Sequence, residues 1–147
     1  MSLPNPIPVI LCGKTTAIGK PVSEFLLPEY EVIHFIQSYE AAQSEIPQVL
    51  AGHDPQTRTP IGTHNYSRPA RAVILGRAFT PEQVEEVRKL CKGSAKDAVA
   101  WLVSDPANAP GNGPPGPAYA AVVANDVKRV LASWINEGNQ RDGIVWY

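Results

Sequence analysis

The chain has 147 residues, of which 44% are apolar and 18% are charged, and its formal net charge is -1. This length fits one compact domain with its own core, and the composition excludes a disordered or fibrous chain. A near-neutral sequence without a cluster of Lys and Arg argues against nucleic acid or a membrane surface as a partner, and no apolar run is long enough to span a bilayer. We therefore expect a single soluble domain over residues 1–147.

The first third of the chain alternates apolar runs with turn residues. Residues 8–13 form a short apolar run that ends in Gly13, which predicts a strand buried on both faces. After a turn, residues 20–27 show helical spacing of apolar side chains, with Pro21 suited to the first helical position. Residues 30–36 predict a second strand.

A helix and a long loop follow. Ser38 is a suitable cap for the helix, and Pro47 either kinks it or restarts it before Gly52. Residues 53–69 are polar and proline-rich without a sustained period, which predicts a long surface loop of the kind that is often functional. His53 and His64 lie in this loop, but their spacing matches no metal motif, so we expect no metal site.

The remaining elements repeat the alternation. Residues 70–76 and 98–103 predict the third and fourth strands, and Thr80 followed by Pro81 and Gln83 predicts a capped helix to about residue 92. A glycine- and proline-rich loop over 106–117 precedes an amphipathic helix over 118–136, and residues 143–147 predict an edge strand. This order predicts an α/β fold, a three-layer Rossmann-like sandwich whose mostly parallel sheet of about five strands carries helices on both faces.

The turn after the first strand resembles a known nucleotide-binding pattern. Residues 9–22 are similar to the opening of atypical and extended short-chain dehydrogenases, which runs strand, G-x-T-G-x-I-G, helix. Gly13, Thr15, Ile18 and Gly19 match this pattern in type and spacing, whereas Thr16 replaces the middle glycine. Residues 34–38 contain no acidic ribose anchor, and the chain contains no Tyr-x-x-x-Lys pair. The resemblance implies a Rossmann-like fold and an NAD(P)-type ligand at this turn.

Two further likenesses leave other ligands open. The size and order of elements are similar to those of stand-alone CoA-binding domains, which implies CoA as an alternative at the same turn. The pattern also resembles small fungal Rossmann-like proteins of unassigned activity, some of them associated with secondary metabolism. Neither likeness implies a particular reaction.

A phosphate or carboxylate is the kind of group that we expect at this turn, because helix N-termini carry free N–H groups and partial positive charge. The ends of the third and fourth strands should face the same crevice. The predicted ligand-binding residues are Gly13, Lys14, Thr15, Thr16, Ile18, Gly19, Gly76, Arg77 and Ser104. A tight turn that binds nothing is the alternative interpretation.

Three residues are candidates for a catalytic role. Asp105 could act as an acid or base, although Asp-Pro is also an ordinary turn opener. His34 lies in an apolar strand, where a satisfied buried histidine is the common case. Cys12 precedes helix N–H groups that could lower its pKa, although a buried strand cysteine is usually inert.

The sequence therefore predicts one of two functions. The first is a small protein that binds a nucleotide or anion at the turn, with an isomerase, lyase or reductase-type step on a metabolite. The second is a non-catalytic dimeric or accessory domain that has lost its cofactor, with Trp146 and Tyr147 at a homodimer contact or docked on their own chain. Apolar surroundings for both cysteines and the lack of a secretory signal predict a cytoplasmic location.

Overall fold

The computed structural model of the protein describes residues 6–57, 59–76, 79–95, 98–104, 117–138 and 143–147. Five strands and four helices alternate along them: β1 (Ile7–Cys12), α1 (Thr16–Phe25), β2 (Tyr30–Ile36), α2 (Tyr39–Leu50), β3 (Ala72–Leu75), α3 (Pro81–Leu90), β4 (Ala100–Val103), α4 (Pro117–Asn136) and β5 (Gly143–Trp146). All four neighbouring strand pairs are parallel, in the order β2-β1-β3-β4-β5. The predicted α/β class and the parallel sheet are confirmed.

Helices cover both faces of the sheet, which explains why the strands are apolar on both sides. α1 and α4 pack on one face, and α2 and α3 pack on the other. On the first face the helices contribute Val22, Val127, Leu131 and Trp134 to the core. On the second face they contribute Ile46, Val49, Leu50, Val84 and Val87. Of the helices that the structure describes, none has the length and apolar composition that a membrane crossing requires.

Two prolines lie inside helices, and one of them changes a predicted boundary. α1 begins at Thr16 rather than at Lys20, so Pro21 is an interior residue and not the first one. α2 runs without a break through Pro47. A proline removes one backbone N–H, and in α1 the carbonyl left without that partner belongs to Ala17, an exposed residue of the first turn where water can bind.

The helix caps follow the sequence more closely. The Ser38 hydroxyl accepts a hydrogen bond from the Ala41 amide at 3.1 Å, as expected of a cap. Thr80 and Gln83 form the predicted capping box, with side-chain to backbone distances of 3.1 Å and 3.0 Å. The predicted loop over 106–117 lies outside the described residues except for Pro117, which begins α4.

The predicted surface loop covers the outer edge of β2. We call its described residues, 53–57 and 59–69, the edge loop. The amides of Thr63 and His64 donate to the carbonyls of Val32 and Ile33, each at 3.0 Å. Gly62 has φ +102, and a Cβ there would lie 3.1 Å from the Ile33 carbonyl oxygen. This close approach at a left-handed backbone position requires glycine, and the edge loop occupies hydrogen-bonding positions that an open edge strand would expose.

Candidate functional site

Three predicted ligand-binding residues lie along the edge of the sheet where the strands have their carboxyl ends, which we call the carboxyl edge. The Gly13 amide donates to Ile36 at 2.9 Å, and the Gly76 amide donates to Cys12 at 3.0 Å. The Ser104 amide donates to the Leu75 carbonyl at 3.3 Å. Each residue therefore continues a strand and is held against the neighbouring strand.

The direction of winding reverses at β1. From β1 the chain moves outward to β2, returns to β3 on the other side of β1, and then continues to β4 and β5. In open parallel sheets, ligands bind outside the carboxyl ends of the strands at such a reversal. The segments that follow β1 and β3 border this crevice, and they contain Gly13 and Gly76. Arg77, predicted to lie beside them, is outside the described residues, as is Asp105 after β4.

The turn after β1 is shorter than the sequence pattern indicated. Only Gly13, Lys14 and Thr15 separate β1 from α1, and Thr15 is the N-cap with extended backbone angles. Its side chain makes no capping hydrogen bond, and the first turn of α1 contains no acidic residue. Lys14, Thr15 and Thr16 are exposed. The first amides of α1 therefore face the surface at the reversal point, with two hydroxyls and one ammonium group nearby.

Two of the predicted ligand-binding residues belong to the core side of α1. Ile18 is half-buried and packs against the core, and Gly19 is buried. A Cβ on Gly19 would lie 2.5 Å from two ring carbons of Phe35. Gly19 therefore allows α1 to pack closely on β2, the role of the third glycine in the dinucleotide pattern. A Cβ on Gly13 would lie 3.7 Å from the same ring, which is an ordinary contact.

Gln37 follows β2, near the place where dinucleotide sites have an acidic ribose anchor. Its side-chain amide donates to the Lys14 carbonyl at 3.2 Å. This hydrogen bond ties the end of β2 to the turn after β1. The side chain thus stabilises the turn and brings no carboxylate to it.

The C-terminal tyrosine docks on its own chain, one of the two arrangements that the sequence left open. The Tyr147 hydroxyl donates to the Leu75 carbonyl at 2.9 Å, and its amide donates to the Val103 carbonyl at 3.0 Å. Burial raises the pKa of Tyr147 well above its usual value, so the phenol is neutral in the folded protein. Trp146 instead remains 46% exposed.

Both cysteines are free and buried. Cys12 faces the core beneath α2 and α3, and burial raises the pKa of its thiol far above the usual range. Burial also raises the pKa of Cys91, to about 12. A thiol in such surroundings is protonated at neutral pH, so nothing here favours Cys12 as a nucleophile.

His34, the third catalytic candidate, is the centre of a buried polar cluster. Its Nε2 lies 2.6 Å from Glu45 Oε1, and its Nδ1 lies 2.7 Å from Tyr66 Oη. The imidazole is 1% exposed, whereas Glu45 is 13% exposed and Tyr66 is half-buried. Glu45 comes from α2 and Tyr66 from the edge loop, so three separate parts of the chain meet here.

An irregularity in β2 directs His34 toward α2. Val9 pairs with Val32, but the next residue, Ile10, pairs with His34, so Ile33 is an extra residue in β2. Such a bulge changes which face the following side chains occupy. The sequence alternation does not reveal a bulge, and for this reason Glu45 was not among the candidates.

A second polar group holds the base of the edge loop. Glu31, which is buried, accepts hydrogen bonds from Thr63 Oγ1 at 2.5 Å and from Arg68 Nη2 at 3.1 Å. His64 has a positive φ of 59, and its Nε2 is buried without a hydrogen-bond partner among the described residues. The His64 and Tyr66 ring centroids are 6.5 Å apart.

One cavity lies away from the carboxyl edge. A cavity of about 300 Å³ lies between the end of α3 and the start of β4, with Leu50, Arg88, Lys92 and Trp101 among its lining residues. It is therefore at the opposite end of the strands from Gly13.

Among the described residues, no three His, Cys, Asp or Glu side chains come together in a way that could hold a metal ion.

Comparison with known proteins gives one informative similarity. The chain is 41% identical to Kojic acid related protein 6 of Aspergillus oryzae over 142 residues, which cover 96% of this chain and 86% of that protein. No protein-family model matches the chain, and no solved structure matches it.

Proposed function

We propose that this chain, which belongs to the same family as Kojic acid related protein 6 of Aspergillus oryzae, binds a nucleotide or another anionic small molecule at the amino end of α1. The name of the relative connects that protein with kojic acid. From it we infer a role in fungal secondary metabolism, and the free buried cysteines favour the cytoplasm as its location.

One observation carries this proposal: the amino end of α1 is uncapped and exposed where the strand order reverses. The other two helix starts for which caps are described, α2 and α3, have side-chain caps and an acidic residue in the first turn. α1 has neither, so its amides and its partial positive charge remain available to an anion. Thr15, Thr16 and Lys14 supply further donors.

The surroundings of α1 favour a ligand with a single anionic group over one that presents a pyrophosphate. Thr16 replaces the glycine that lets a pyrophosphate approach the backbone, and Gln37 is engaged with the Lys14 carbonyl. Both features favour a ligand that presents a single phosphate or carboxylate at α1. NAD(P) and CoA are the cofactors to test, and a minor isomerase, lyase or reductase-type step is the chemistry that such binding would serve.

Calorimetric titration with NAD, NADP, CoA, ATP, AMP and inorganic phosphate tests the proposal. A ligand at 100 times its Kd stabilises a protein by about 2.7 kcal/mol, which a thermal shift also detects. The variant Thr16→Asp should abolish binding by repulsion, whereas the neutral Thr16→Asn, of the same shape as aspartate, should retain it. Absence of binding for every compound would refute the proposal, and unchanged binding by Thr16→Asp would exclude α1 as the site.

A non-catalytic dimer is the second candidate, and the outer edge of β5 favours it. No described residue pairs with the outer edge of β5, and the strand, Gly-Ile-Val-Trp, contains no charged residue or proline that would discourage pairing. Two copies could join these edges around a twofold axis, with Trp146 at the contact. Analytical ultracentrifugation should then give a dimer for the wild type and a monomer for Trp146→Lys; a monomeric wild type would refute this alternative.

A further inference from the structure

We propose that Tyr66, His34 and Glu45 form a proton relay in which the Tyr66 hydroxyl is the acid–base atom, and that its substrate is a small neutral carbonyl compound with an exchangeable α-hydrogen. This site is separate from the amino end of α1. Its success or failure in experiment is therefore independent of ligand binding there.

The hydrogen bonds define the direction of proton transfer, from Tyr66 to His34. An ionised Glu45 carboxylate can only accept, so His34 Nε2 carries the hydrogen at the 2.6 Å contact. In the neutral imidazole, Nδ1 is then an acceptor, and the Tyr66 hydroxyl donates to it at 2.7 Å. A hydroxyl that donates to a base, which in turn is oriented by a third group, is the arrangement that activates hydroxyl groups in enzymes.

Burial determines which atom of the relay a substrate can reach. His34 is 1% exposed, whereas Tyr66 is half-buried in the edge loop, so Tyr66 is the more accessible of the two. An acyl group placed on Tyr66 would need a water molecule at His34 for its removal, and the imidazole, at 1% exposure, has little access to solvent. Proton transfer needs contact with the Tyr66 oxygen alone, so the geometry favours proton transfer over hydrolysis.

His64 adds an observation that points to a bound group. Its Nε2 is buried and has no partner among the described residues, and its backbone has the left-handed conformation that is uncommon for residues other than glycine. A buried polar atom without a partner is costly, and it often marks a site that is completed by a ligand or water. A ring N–H in this position can donate to a carbonyl oxygen, which stabilises the enolate that forms when an α-hydrogen leaves.

The charges near the relay favour a neutral substrate. The Glu45 carboxylate contacts His34 at 2.6 Å, and the positive charge of Arg68 is paired with Glu31 at 3.1 Å. A carboxylate or a phosphate on the substrate would be repelled by the Glu45 carboxylate. A neutral carbonyl compound avoids this repulsion.

The proposed step is balanced without a cofactor. The substrate C–H bond breaks and its proton goes to Tyr66 Oη, while the Tyr66 proton moves to His34 Nδ1. The electron pair of the C–H bond becomes the enolate, and the imidazolium is stabilised by the Glu45 carboxylate. Return of a solvent proton by the reverse path gives exchange at the α-carbon.

Labelling with phenylmethanesulfonyl fluoride tests the relay without a known substrate. Attack forms a bond from Tyr66 Oη to sulfur and breaks the sulfur–fluorine bond, with fluoride leaving and the proton passing to His34. Peptide mass spectrometry should show Tyr66 labelled about 100-fold faster than the half-buried Tyr39 and Tyr119, since general-base catalysis commonly contributes at least this factor. A rate at Tyr66 equal to or below theirs would mean that the cluster only fastens the edge loop, and would overturn the proposal.

Two variants distinguish a loss of Tyr66 activation from a loss of the fold. Glu45→Gln keeps the shape of the side chain and should reduce Tyr66 labelling to the rate of the other tyrosines, whereas Glu40→Gln, an exposed neighbour on α2, should not change it. Circular dichroism confirms that each variant is folded. Fast labelling that persists in a folded Glu45→Gln would contradict the relay.

Solvent exchange tests the substrate class. Dihydroxyacetone in D2O should incorporate deuterium faster with the wild type than with Tyr66→Phe, as followed by proton NMR. His64→Phe should also lower the exchange rate, because its ring could no longer donate a hydrogen bond to the substrate carbonyl oxygen. Absence of wild-type exchange above the solvent rate would refute the assignment to carbonyl compounds.

Discussion

Replacing Gly19 with alanine measures how closely α1 packs on β2. The new Cβ would lie 2.5 Å from Cε1 and Cζ of Phe35 and 3.2 Å from Ile61 Cδ1. Phe35 is 1% exposed, so its ring has little room to move. Overpacking of this kind costs about 2–3 kcal/mol, while alanine in place of glycine inside a helix returns about 1 kcal/mol. We expect a net loss of about 1–2 kcal/mol in the free energy of unfolding, and a Tm lower by about 3–8 °C.

Urea denaturation followed by circular dichroism provides the measurement. Gly13→Ala is the matched control, because its Cβ would lie 3.7 Å from the same ring and should change stability little. The double variant Gly19→Ala, Phe35→Leu should lose less stability than the sum of the single variants, by more than about 0.5 kcal/mol. A Gly19→Ala protein that is more stable than the wild type would refute the argument, since helix propensity alone would then account for the result.

Three further predictions concern caps, the helix dipole and a buried phenol. Ser38→Ala should lower the free energy of unfolding by about 1 kcal/mol through loss of the α2 cap, and an unchanged urea midpoint would contradict the hydrogen bond to Ala41. Thr16→Asp should raise the free energy of unfolding of the ligand-free protein by about 0.3–1 kcal/mol, and its Tm with it, because a carboxylate at the amino end of α1 interacts favourably with the helix dipole. Thr16→Asn carries no charge, so it should not show the salt-sensitive part of this gain. The raised pKa of Tyr147 predicts a stability contribution that is present below the usual tyrosine pKa of about 10 and is lost as the pH rises above it, since the unfolded chain ionises first. Tyr147→Phe should make urea midpoints fall less steeply between about pH 9 and pH 11, and an equally steep fall would assign the effect to other groups.

Local sequence patterns predicted the elements well where the signal itself was local. Apolar runs that end in glycine identified β1 and β3, and Thr80 with Gln83 identified the start of α3, because capping depends on neighbouring residues alone. The first turn of α1 is harder to predict from the sequence. Pro21 is compatible with a first helical position, and only the packing of Gly19 against Phe35 shows that the helix already passes through this point.

The sequence by itself determined the α/β class and the meeting of Gly13, Gly76 and Ser104, since parallel strands bring their carboxyl ends to one edge. The tertiary structure decided the strand order, the docking of Tyr147 and the polar cluster of His34. That cluster depends on a bulge at Ile33 and on an edge loop that returns to β2, and neither leaves a periodic signal because both arise from contacts between distant parts of the chain. Glu45 is consequently a candidate functional residue only in the folded structure, where α2 packs against β2.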